Sequence, residues 1–316
     1  MIAYNNLMQL AYLYAGFANR VLGDNLCDFV IDGSGVTAGA AGYYSRAESL
    51  FTKALAVTGG TPATMTTQSQ AAYGGRASAR VGLGNWAGAI SDAALVPIGF
   101  TYNMPYYNLG DDAQRNRIFF SSGNTRESGS AYRAHTQWNT WHLLYKYGTA
   151  TPTASTAPVT ADPRISILVP STPILGDAAI DCCGRVPFFP EAKHASSAAP
   201  IRLTSGREMQ LIRAEERLRA NDDVGGMAFI NATRTNAGAP TVTNTDLTDA
   251  WRLLKRERGI ELWLEARRLG DLRRWAAGAT PGALDLLESV GPAAHLTVQN
   301  LCFPVSRSEK DANPNI

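Results

Sequence analysis

The sequence predicts a mainly α-helical protein in which helix pairs stack into an α/α superhelix, with long loop-rich insertions and a few short hairpin strands. Three observations lead there. Small residues recur at helical spacing through residues 1–96. A similar arrangement returns at 206–276. Between them, residues 98–205 form a loop-rich insertion, aromatic- and Asn-rich without helical period over 98–127 and broken by prolines from 163 to 200.

Taken in order, Met1 to Leu22 has a helical pattern, and Asn5 to Leu22 is expected to pair with a second helix carrying Tyr44, Ala47, Phe51 and Ala54. The Gly-rich loop Gly23 to Gly42 joins them. From Gln70, the run Ala71, Ala72, Gly75, Arg76, Ala79, Arg80 and Leu83 reads as another helix, turned at Gly84-Asn85. Trp86, Ala89, Ile90 and Ala93 then open its partner, which ends at Pro97. A large residue followed by Ala three and seven positions later lets two helices approach closely, which is the tetratricopeptide pattern. In the intervening stretch a helix is expected from about Ser128 to Tyr147, with loops and short hairpins broken by prolines up to Ser205. Glu208 to Leu218, the turn Ala220 to Asp223, and Val224, Ala228, Ile230 and Asn231 form a third pair. After the linker Gly238 to Asp246, Trp251, Leu254, Leu262, Leu269 and Leu272 mark one stripe of a single helix running to about Trp275. The tail 301–316 reads as extended. Long insertions on one side of stacked pairs place the function on the insertions.

Composition narrows the function. The formal charge of +2 supplies no basic excess for a nucleic-acid phosphate backbone, so no nucleic-acid partner is expected. Hydrophobic residues, at 45%, suffice for a core and exclude a disordered chain. Charged residues are only 18%, which leaves a neutral polar surface suited to uncharged hydrogen-bonding ligands. No apolar run approaches the roughly 20 residues that cross a bilayer as a helix. Met1 to Leu22 lacks the basic start and cleavage site of a secretory leader, and Asp24, Asn25 and Leu26 ahead of Cys27 do not form a lipoprotein box. The cysteines Cys27, Cys182, Cys183 and Cys302 have no C-x-x-C spacing for zinc; they read as small core residues, or as one or two bridges if the compartment is oxidising.

Three segments together resemble the SusD/RagB family of outer-membrane nutrient-binding lipoproteins. The first runs Arg256-Glu257-Arg258-Gly259-Ile260-Glu261-Leu262 and continues through Leu264-Glu265-Ala266-Arg267-Arg268-Leu269-Gly270-Asp271-Leu272-Arg273-Arg274-Trp275. The second runs from Phe303-Pro304-Val305 through Ser308-Glu309 to Asn313-Pro314-Asn315-Ile316. The third is Arg213-Ala214-Glu215 followed by Ile230-Asn231 and Arg234. The resemblance implies a single SusD-like domain over 1–316, and a SusC-like TonB-dependent transporter as partner. It also implies an oligosaccharide or polysaccharide ligand and a lipid-anchored place at the outer-membrane surface. Because family members carry a leader, a lipidated Cys and further helix ahead of the segment that Met1 opens, the domain is expected to be incomplete at its N-terminus.

Among chemically suggestive residues, Glu257, Glu261 and Glu265 fall four apart and are expected to share a helix face. Such a row resembles the carboxylates of glycosidase chemistry, but that chemistry requires two carboxyls facing each other at about 5–9.5 Å across a sugar. Arg258, Arg267, Arg268 and Arg274 lie three or four residues from Glu261, Glu265 and Asp271, so Glu257, Arg258, Glu261, Glu265, Arg268, Asp271 and Arg274 are read as a structural ion lattice. The histidines His135, His142, His194 and His295 show no paired metal spacing, and no metal or cofactor is expected. Gly33-Ser34-Gly35 lacks the G-K-[ST] of a phosphate loop, Asp28 to Gly39 fails the calcium-loop pattern at Val30 and Gly39, and no G-x-S-x-G elbow occurs. Carbohydrate binding needs aromatic platforms flanked by polar side chains. The loop residues Tyr102, Asn103, Tyr106, Tyr107 and Asn108 and the helix residues Trp138, Asn139 and Trp141 supply that mixture. The sequence therefore reads as a non-catalytic surface protein that captures oligosaccharide for a transporter. The competing readings are a helical-repeat scaffold for a protein or peptide, and an α/α glycoside hydrolase.

Overall fold

The structure, a computed structural model, describes residues 2–58, 67–110, 112–120, 140–172, 175–176, 186–187, 189–284 and 301–315. Four helices open the chain: α1 (Ile2–Asn25), α2 (Ala41–Thr58), α3 (Thr67–Gly82) and α4 (Trp86–Ala93), each packed along the next. Their approach is close because small residues line the contact. Ala47, Ala54, Ala71, Ala72 and Ala79 are fully buried around Phe17 and Phe51, whose rings meet edge to face at 4.9 Å. A Cβ on Gly75 would stand 2.3 Å from the Phe51 ring, so this position tolerates only glycine at the observed spacing. At the α3–α4 turn Gly84 adopts φ +73°, and the Asn85 side chain caps α4 by accepting from the Gly88 N–H.

The long insertion leaves and returns at one place. Strand β1 (Thr101–Met104) opens it and pairs antiparallel with β4 (Ile201–Ser205), with a register shift between Tyr102 and Asn103. Within it lie α5 (Thr140–Tyr147) and the hairpin β2 (Leu175–Gly176) and β3 (Val186–Pro187). The helix expected over 128–147 is seen from Thr140; its earlier part lies outside the described residues. Ser205 ends β4 and caps α6 (Gly206–Arg219), which packs on α4, on α7 (Asp223–Asn236) and on α8 (Leu247–Glu261). Met209 and Ile212 of α6 share a buried cluster with Ala77, Val81, Ala89 and Ala93, joining the N-terminal helices to the C-terminal ones.

Two expectations for the C-terminal part are corrected. The periodic stretch to Trp275 is not one helix: α8 ends at Glu261 and α9 (Arg268–Ala277) begins after a turn in which Leu264 and Ala266 take φ of 61° and 57°. Left-handed backbone at non-glycine residues costs roughly 1–2 kcal/mol each, so something must hold it. Charged side chains do. Lys193 donates to the Trp263 carbonyl at 2.5 Å and Arg267 to that of Glu265 at 2.9 Å, satisfying carbonyls that a continuous helix would have used itself. The tail is also not wholly extended: Ser306 caps a short helix, α10 (Arg307–Ala312). A disulfide joins Cys27 to Cys302, with a one-residue parallel bridge beside it at Leu26 and Phe303. Asn313 and Asn315 donate to the Ser34 and Gly33 carbonyls at 3.0 and 2.8 Å, fastening the tail to the Gly-rich loop. Cys182 and Cys183 lie outside the described residues.

Candidate functional site

The aromatic residues predicted as a loop platform divide between two environments. Tyr102 belongs to β1, not to a loop, and its ring turns inward onto Phe17 (centroids 6.1 Å apart, 17° between planes) and Tyr14 (6.3 Å). Half-buried there, with its hydroxyl 3.4 Å from that of Tyr14 and its pKa raised by desolvation, it helps close the α1–α2 core. The strand's alternation turns Asn103, opposite Arg202, out to solvent. Beyond Pro105, Tyr106 is half-buried, Tyr107 is 54% exposed and Asn108 is exposed. This loop is braced across its base. The Tyr107 N–H donates to the Gln114 carbonyl at 2.8 Å, and Arg115 Nε to the Leu109 carbonyl at 3.1 Å. Asn103, Tyr107 and Asn108 thus sit on one short, fixed run facing water. Trp138 and Asn139 lie outside the described residues, as does the side chain of Trp141, whose backbone is in α5.

The acidic signature is buried. Glu257, Glu261 and Glu265 are 0–3% exposed, and Glu265 lies past the end of α8, so the three do not share one helix face. Their partners come mostly from other elements, not from the local arginines expected. Glu257 is held by Arg164 at 2.8 Å and by Arg234 of α7; Arg164 also grips Asp162, to which the Tyr145 hydroxyl donates. Glu261 takes Arg202 at 2.9 Å and Arg207 at 2.7 Å, and Glu265 takes Lys193 at 2.6 Å and Arg202. Asp271 does have the local partner Arg274, at 2.9 Å, but its two-pronged partner is Arg258 across the α8–α9 turn. Arg268 donates to the Lys255 carbonyl at 3.1 Å and lies over the Trp275 ring, and its charge also helps keep Asp271 ionised.

A second layer continues this network. Glu215 of α6 accepts from Arg274, Arg219 and the Trp275 indole, while Arg219 stacks on Trp86 at 4.2 Å. Glu208 accepts from Arg267 and Ser78, and Asp24 of α1 from Arg20 and Tyr44. Arg20, Asp24, Glu208, Arg202, Arg164 and Lys193 carry no motif; the one available signal is a charge pair at helical spacing, Arg20 and Asp24, within an otherwise uncharged helix.

Electrostatics follow from these contacts. Burial raises the Glu265 carboxyl, but Lys193 and Arg202 outweigh it and hold the pKa at about 2; at Asp271 burial is likewise outweighed by Arg258 and Arg274, again giving about 2. Groups so firmly ionised, sealed from solvent and occupied by guanidinium partners are unsuited to donating a proton to a glycosidic oxygen. His142 stacks on Trp263 at 4.7 Å, its pKa pushed well down by burial, and His194 hydrogen-bonds Glu191. His135 and His295 lie outside the described residues, and among the described residues no group of three metal-ligating side chains converges.

Stacked helix pairs carrying a loop-rich insertion closed at its base by β1 and β4, and a buried arginine–carboxylate lattice, define a helical-repeat protein. The model of the SusD family matches residues 194–315, which hold the segments at 213–234 and 256–275 and all of the closing segment except Ile316. A SusD superfamily protein from Bacteroides vulgatus ATCC 8482 superposes with a TM-score of 0.60 at 17% identity, over 98% of this chain and 77% of that one. One from Bacteroides thetaiotaomicron VPI-5482 gives 0.60 at 15%, over 99% and 76%. A SusD-like protein from Bacteroides fragilis NCTC 9343 gives 0.56 at 16%, over 87% and 70%. A search of curated proteins returns no match. The fold of the chain is thus SusD-like, and residues 194–315 are similar to the SusD/RagB family.

Proposed function

We propose that this protein is a non-catalytic binding protein of the outer-membrane surface that captures a neutral oligosaccharide and delivers it to a SusC-like TonB-dependent transporter. The loop-rich insertion 98–205 is then the ligand-facing part of a single SusD-like domain. The observation that carries the reading is the braced, solvent-facing run Asn103–Tyr107–Asn108, in a stretch from Ala93 to Gly110 without one charged side chain. A phenol ring stacks on the C–H face of a pyranose while neighbouring amides meet its hydroxyls, and the absence of charge favours an uncharged sugar. The disulfide supports an oxidising, extracytoplasmic compartment. Among the described residues no helix is long and apolar enough to cross a membrane, so residence at the surface would rest on an anchor or on the transporter.

Isothermal titration against a panel of soluble neutral and acidic glycans, run beside a reducing-end assay, tests this. Binding of a neutral glycan without new reducing ends is expected. Tyr107→Ala should weaken it about tenfold, equivalent to ~1.4 kcal/mol, and leave stability within about 0.5 kcal/mol. Released reducing ends, or no glycan bound by the folded chain, would overturn the proposal.

A further inference from the structure

Inside the junction of the N-terminal and C-terminal helices, two buried charged groups each keep one atom without a hydrogen-bond partner among the described residues. Arg258 gives Nε and Nη2 to Asp271, leaving Nη1; Glu208 uses Oε1 for Arg267 and Ser78, leaving Oε2. Both residues are at most 4% exposed, and both line the same small cavity, of about 20 Å³, together with Asp24, Tyr44 and Ser78.

We infer that this cavity is a built site for a single internal water, which accepts from Arg258 Nη1 and donates to Glu208 Oε2. Size admits one such molecule, since a water needs roughly 10–15 Å³ of this kind of space and two to four polar partners. Chemistry selects a neutral ligand over an ion. The charged lining consists of Arg258, Arg267 and Arg274 against Asp24, Glu208 and Asp271, so formal charges cancel. An anion would meet the lone pairs of Glu208 Oε2, and a cation the Arg258 guanidinium. Water alone offers a donor and an acceptor together, and leaving either group unmatched at this depth is costly. The site takes residues from α1, α2, α3, α6, α8 and α9, so its occupant is a shared ligand of both halves of the fold.

The test is a crystal structure of the unaltered protein at a resolution that shows ordered solvent, from halide-free crystals and from crystals soaked in bromide. One solvent peak within about 3.2 Å of both Arg258 Nη1 and Glu208 Oε2, without anomalous signal after the soak, is expected. A cavity without a peak among otherwise ordered side chains, or an anomalous bromide peak in it, overturns the assignment. Neither result depends on whether the protein binds glycans.

Discussion

Glu257 is fully buried, and its partners Arg164 and Arg234 reach it from the insertion and from α7. Removing one member of such a group strands the others. Glu257→Ala is therefore expected to cost about 3–5 kcal/mol in urea denaturation, well above a surface substitution. Acid should act on the same lattice. Glu265 and Asp271 sit at about 2, against ordinary values of 4.5 and 3.8, so the folded state favours their ionised forms. Their contribution is complete above those ordinary values and is lost as pH falls toward about 2. Asp24 works in the opposite sense, since burial raises its pKa and its ionisation opposes folding. Melting followed by circular dichroism between about pH 5 and pH 2 should show a falling midpoint, and Glu265→Gln should flatten that fall. At this scale the sequence marked Glu257, Glu261, Glu265 and Asp271 as ion-paired, yet most of their partners were not readable. A local rule reaches four residues along a helix, whereas Arg164 and Glu257 meet across 93 positions.

Helix pairs were the most legible elements, because close packing leaves a periodic trace of Ala and Gly that depends on no distant partner. Gly75 tests that reading. Gly75→Ala would push a methyl into the Phe51 ring and should cost about 1–3 kcal/mol in denaturant unfolding, although alanine is the better helix former. The α8–α9 break left no such trace. Residues 262–267 contain neither Gly nor Pro, and the turn is held from outside by Lys193 on the Trp263 carbonyl and by Arg202 on Glu265, so local propensity and tertiary contacts disagree. Helix α10 was readable and was missed: Ser306 followed by Glu309 is a capping-box pattern, and the Glu309 N–H donates to the Ser306 hydroxyl at 3.2 Å. Strand β1 is the converse case. Its four residues look like loop until paired with β4, which lies about a hundred residues on.

Across the whole molecule, β1–β4 gathers the two ends of the insertion, and Cys27–Cys302 joins the loop after α1 to the segment ahead of α10. The bridge closes a separation of 275 residues, a scale at which loop-closure entropy reaches about 5 kcal/mol. Cys302→Ser, or reduction, is expected to lower stability in guanidinium by about 2–5 kcal/mol. Neither closure could be read in advance, since each depends on where distant segments arrive in space.

The Cys27–Cys302 bridge also bears on how the protein withstands damage. It closes the segment from Cys27 to Cys302, which contains the whole insertion, into a covalent ring. A protease that nicks an exposed loop of the insertion opens the ring without dividing the molecule. The two pieces stay tethered, and the buried lattice holds the helical halves together, so a protein built this way keeps its scaffold after a cut that would sever an unbridged chain.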